Sequence, residues 1–79
     1  MPSPKLPILS ASKVCRILKK DGFHNYSQNG SHKKFKKYLD NNLVLTVIVP
    51  IHNKKIGKGL LLTIIEQAGH NKESFLELI

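Results

Sequence analysis

FHNYSQNGSHKKFKKYLDNNLVLTVIVP, residues Phe23 to Pro50, reads as three strands separated by two turns. Asn29-Gly30 and Asp40-Asn41-Asn42 supply the turn chemistry, because asparagine, aspartate and glycine tolerate left-handed backbone. The predicted strands are Phe23 to Ser27, Ser31 to Leu39 and Leu43 to Val49, an antiparallel meander that Pro50 ends for want of an N–H. Side chains alternate faces along a strand and paired residues share a face, so register decides what is buried together. A two-residue Asn29-Gly30 turn would set Phe23 opposite Lys36 and mismatch the apolar sets. A three-residue Gln28-Asn29-Gly30 loop with Gly30 left-handed pairs Phe23 with Phe35 instead, and is the expected closure. The same rule across Asp40-Asn41-Asn42 pairs Leu39 with Leu43, Phe35 with Val47 and His32 with Pro50. Helices should therefore cover the odd-numbered face, with Lys33 and Lys37 snorkelling at its margins.

Outward from this sheet, both flanks read as helical. Ser10 or Ser12 can cap a helix running to about Lys20, with Ala11, Val14, Cys15 and Leu18 on one stripe and Gly22 as its stop. Before it, three prolines and Leu6-Pro7-Ile8-Leu9 suit an extended lead-in whose apolar tip tucks against the body. After the sheet, a Lys- and Gly-rich loop precedes a helix entered at Gly59, with Leu61, Ile64, Ile65 and Ala68 as its stripe and Gly69 as its close. Asn71 can cap a last helix, Lys72 to Ile79, with Phe75, Leu76 and Ile79 inward. The expected fold is α+β in the order αβββα with a terminal helical turn, a three-stranded antiparallel sheet carrying helices on one face. Residues 1–79 form one domain, near the lower size limit for a core without staples.

Thirteen Lys and Arg against five Asp and Glu leave a formal charge of +8, and all the cations but Arg16 are lysine. That balance points to a polyanion, nucleic acid ahead of a membrane surface. The longest apolar run, Leu43 to Val49, is broken by Thr46 and far too short to span a bilayer, and no secretory leader is legible, so the expectation is a cytoplasmic chain. The one cysteine, Cys15, forms no internal disulfide and supports no cysteine zinc site, and its position suits a helix core. The acids, Asp21, Asp40, Glu66, Glu73 and Glu77, are too scattered to hold a metal, so no cofactor is expected.

The even-numbered face is left open and holds His24, Tyr26, His32, Lys34, Lys36, Tyr38, Val44, Thr46 and Ile48. Cations, aromatics and a histidine on one sheet face suit contact with RNA. RNA is cut without metal when a base removes the proton of a 2′-hydroxyl, which then attacks the adjacent phosphorus. Histidine suits the task, with an ordinary pKa of about 6.5. On this reading His32 is the candidate base, Lys34 and Lys36 stabilise the developing phosphorane charge, and Lys33, Tyr26 and Tyr38 extend the binding surface. His52 lies two residues beyond Pro50 and so can approach His32, for catalysis or for phosphate contact. A histidine on a half-exposed strand is ordinarily a surface residue, and His24 and His70 read that way.

In their order and spacing, Leu6-Pro7, Asp21-Gly22-Phe23, Gly30-Ser31-His32, Val49-Pro50-Ile51-His52, Lys58-Gly59-Leu60-Leu61, Ile64-Ile65, Gln67-Ala68-Gly69 and Phe75-Leu76 form a pattern covering almost the whole chain. The chain resembles the HicA family of small toxins from toxin-antitoxin modules. The resemblance implies a fold similar to the double-stranded-RNA-binding domain, metal-independent cleavage of messenger RNA, and masking by an antitoxin of the HicB type. The family's catalytic histidine falls on His32 and its glycine on Gly30, with Ser31 between them as a structural neighbour. The Lys-rich second strand and Leu60, where threonine is more usual, depart from the family pattern without touching His32. Exposed Val44 and Ile48, with Tyr38, are the expected apolar anchors for the antitoxin. The competing readings are a noncatalytic RNA-binding module and an accessory protein that serves mainly to bind a protein partner.

Overall fold

Helix α1, Ala11–Lys20, starts where the Ser10 hydroxyl accepts the Lys13 N–H at 3.1 Å, satisfying a donor that the first turn would otherwise orphan. The structure, a computed structural model, describes residues 5–51 and 55–79. Three strands follow, β1 (His24–Asn29), β2 (His32–Tyr38) and β3 (Val44–Pro50), then α2 (Lys58–Gln67) and α3 (Lys72–Leu76). The sheet is antiparallel in the order β1-β2-β3, an α+β architecture as the sequence predicts. Among the described residues no helix is long and apolar enough to cross a membrane.

The β2–β3 register is the expected one, with His32 opposite Pro50, Phe35 opposite Val47 and Tyr38 opposite Val44. Leu39 donates to the Leu43 carbonyl at 2.8 Å, and Asn42 takes the left-handed position with φ 66°. Phe35, Val47 and Val49 on the odd-numbered face are fully buried against Val14 and Leu18 of α1, Leu61 and Ile64 of α2, and Phe75 of α3 in one core. Fully burying an apolar side chain of this size stabilises a fold by roughly 1.5–3 kcal/mol, so these few residues matter greatly in a chain this short.

The first hairpin closes differently from the sequence reading. Asn29 pairs with His32, leaving a two-residue Gly30-Ser31 loop, and β1 carries a bulge at Tyr26 between Asn25 and Ser27. Phe23 is therefore not paired with Phe35, which faces Asn25. Keeping Phe23 on the buried face takes one extra residue, which the sequence leads one to expect in the loop. The extra residue sits in the strand instead, and Phe23, just ahead of β1, is 2% exposed. Gly30 is left-handed as expected, with φ +62°, at the loop position that a type II′ hairpin reserves for glycine. A Cβ there would meet no atom within 4 Å, so the requirement is backbone conformation and not space.

The helical ends needed smaller corrections. Gly57, not Gly59, precedes α2, and Gly59 lies inside that helix. Helix α3 stops at Leu76; Phe75 is buried but Ile79 is 47% exposed, so the last residue does not face inward. The lead-in does tuck in: Leu9 is buried and accepts the Ile56 N–H at 2.7 Å, while Ile8 points outward. Cys15 is buried, and desolvation pushes its thiol pKa up despite nearby Lys33 and Lys19.

His70 departs most from its surface assignment. A Schellman closure through left-handed Gly69 (φ +76°) brings the His70 N–H to the Ile65 carbonyl at 3.1 Å and turns the ring inward. Its Nε2 lies 2.7 Å from Asp21 Oδ2 and its Nδ1 2.8 Å from Ser74 Oγ, while Lys37 Nζ reaches Asp21 Oδ1 at 3.6 Å. Ser74 also completes a capping box with Asn71 at the start of α3. One carboxylate thus ties the end of α1 to β2 directly and, through His70, to α3. Asp21→Ala is expected to cost about 1–3 kcal/mol, because it strips two half-buried donors of a charged acceptor. Urea denaturation checks this; an unchanged midpoint would show the tie to be dispensable.

Candidate functional site

Gly30 and Ser31 turn the chain so that His32 opens β2 on the uncovered face of the sheet. The Ser31 carbonyl accepts the Ile51 N–H at 2.6 Å, so pairing with the third strand extends past Pro50 and braces the loop beside His32. The imidazole is exposed, and Ser27, Asn29, His32, Lys33, Lys34 and Ile48 line a shallow depression of about 380 Å³.

Register explains this membership. Asn29 stands directly opposite His32, and Lys34 lies between Ser27 on one side and Ile48 on the other. Ser27 and Asn29 were not among the candidates from sequence, because small polar residues on a strand without apolar alternation carry no mark of their register. Lys34 joins His32 as expected. Lys36 shares the face but stands one pair further along, its Nζ 3.9 Å from the centroid of the Tyr26 ring. That contact is a cation–π pair, so Tyr26 holds Lys36 on the open face and does not enter the His32 depression. Tyr38, Val44 and Ile48 are 64%, 43% and 41% exposed, an apolar band along the same face. His52, the second candidate histidine, lies outside the described residues.

Electrostatically the face is unbalanced. Among the described residues both ion pairs fall on Asp21, on the helix side, so no carboxylate neutralises Lys34 or Lys36. Among the same residues no group of three His, Cys, Asp or Glu side chains is placed to hold a metal ion.

A family model described as the HicA toxin of bacterial toxin-antitoxin matches residues 11–70, from the first residue of α1 to His70. The chain belongs to the HicA toxin family. A search of curated proteins finds no match. The matched span takes in all three strands and α2, so the face carrying His32, Lys34 and Ile48 falls wholly inside the HicA domain. The elements outside it are the lead-in and α3, which serve the core through Leu9 and Phe75.

Proposed function

We propose that this HicA-family chain is the endoribonuclease of a toxin-antitoxin module, cutting messenger RNA in the cytoplasm with His32 as the base, without a metal. The observation that carries this reading is the placement of His32 beside Lys34 in one depression, with Ser27 and Asn29 at its wall, on an exposed, uncompensated basic face. A phosphodiester seated there has the imidazole within reach of the 2′-hydroxyl and the Lys34 ammonium beside the phosphate. His32 takes the 2′ proton, the 2′-oxygen bonds to phosphorus, and the bond to the 5′-oxygen breaks, that oxygen taking a proton from water. Lys34 stabilises the added negative charge of the phosphorane more than that of the ground state, which is what accelerates the step. Ser27 and Asn29 offer hydroxyl and amide groups to orient the sugar and base, and exposed Tyr38 offers a ring for stacking.

An antitoxin of the HicB type fits the same face. Ile48, beside His32, and Tyr38 and Val44, further along the same face, supply apolar anchors, and acidic groups of the partner set against Lys34 and Lys36 would complete the match. Silencing is then direct occlusion.

The chemistry is tested by incubating the purified chain with an RNA transcript in excess EDTA and analysing the new ends. Cleavage should persist and give 2′,3′-cyclic phosphate or its hydrolysis product, with 5′-hydroxyl ends. An absolute need for a divalent ion, or primary 3′-hydroxyl ends, would reject the 2′-hydroxyl route.

A further inference from the structure

A second groove runs over the other side of the molecule and meets the first at one residue. Ser12, Cys15, Arg16 and Lys19 of α1 line it, with Lys33 of β2 and Ile51 beyond β3, enclosing about 350 Å³. Ser12, Arg16 and Lys19 are spaced four and three residues apart, so they form one stripe along the helix. The helix contains no acidic residue, and the nearest acid in sequence, Asp21, is engaged by Lys37 and His70. Lys33 lines both this groove and the His32 depression. Half-buried on the helix side of β2 and opposite Val49, it carries positive charge around the end of the sheet from one face to the other. Lys33 and Lys19 line the groove together with the buried Cys15, so both cations border the same channel.

We propose that this groove is the track for the RNA strand flanking the cut site: the chain leaves the His32 depression over Lys33 and runs along α1, its phosphates held by Arg16 and Lys19. The proposal rests on the sheet-face reading above and names where the rest of the substrate goes. The stripe from Ser12 to Lys19 rises about 10 Å along the helix, enough to separate two phosphate contacts. Ser12 at its head adds a hydroxyl, and the floor of Cys15 and Ile51 is apolar and uncharged, suited to a sugar edge and not to a carboxylate. Cations with no acid among them select a polyanion, and continuity with the proposed cleavage site selects the strand already bound there.

The test compares the native chain with Arg16→Gln/Lys19→Gln, both exposed positions, on two RNAs 2′-O-methylated throughout to block cleavage. The long probe has about twelve nucleotides and the short one about four, bracketing the site size of a single small domain. With the long probe, losing two phosphate contacts should flatten the slope of log K against log salt by about 1.4. With the short probe, which fills only the depression, affinity should match that of the native chain. An unchanged slope on the long probe would overturn the track, as would an equal loss on both probes, which would mean that the substitutions act through the sheet face. A weakened antitoxin complex with an unchanged RNA slope would assign the groove to an acidic protein segment and overturn it too. If the native chain binds neither RNA, the sheet-face reading itself fails, an outcome distinct from failure of the double variant alone.

Discussion

His32→Ala is expected to reduce cleavage of an RNA transcript by about 10²–10⁴-fold, the range over which a positioned acid or base contributes. The variant should keep the native fold, because His32 is exposed on the open face and lies outside the core built on Phe35, Val47 and Phe75. It should also still bind RNA, since Lys34 and Lys36 remain to meet the phosphates. Loss of turnover with retained folding and binding separates a catalytic group from a structural one. Undiminished cleavage by the purified variant would remove His32 from the mechanism and leave the noncatalytic RNA-binding reading.

The second large effect concerns inhibition. Val44→Asp or Ile48→Asp should weaken the complex with the cognate antitoxin by two to three orders of magnitude, about 3–4 kcal/mol, because each would bury an unpaired carboxylate at the centre of the interface. Val44 and Ile48 are 43% and 41% exposed in the free chain, so a charge at either is solvated there and the fold should tolerate it. The two positions flank the basic face differently: Ile48 lines the His32 depression and pairs with Lys34, whereas Val44 pairs with Tyr38 at the far end of the hairpin. Equal losses would indicate that the partner covers the whole strand. A loss at Ile48 alone would confine it to the mouth of the depression, and native affinity for both variants would refute occlusion of this face.

What the sequence discloses here follows from where apolar alternation is strong. β2 and β3 have Phe35, Val47 and Val49 buried on one face, and a slip of one residue would expose all of them, so their register was legible together with His32's position opposite Pro50. β1 reads HNYSQN, with every residue exposed and no alternation to fix it. Its parity could be inferred only from Phe23, which demanded one extra residue without saying whether loop or strand supplied it. The bulge at Tyr26 supplied it, which brought Asn29 opposite His32 and moved Tyr26 to Lys36. The His70–Asp21 contact joins residues 49 positions apart, and no local spacing announces a pair of that separation. The charge of α1 was visible in the composition, but the link through Lys33 between its groove and the sheet face depends on the packing of the helix across the end of β2.

On the proposed reading, RNA is held for cutting on the open face around His32. Titrating an isotopically labelled chain with a 2′-O-methylated RNA, which binds but cannot react, and following side-chain and amide resonances tests it most directly. The His32 imidazole and the amides of Ser27, Asn29 and Lys34 should then shift together and saturate with one affinity. Saturable binding that leaves these resonances in place and perturbs other parts of the chain instead would contradict it.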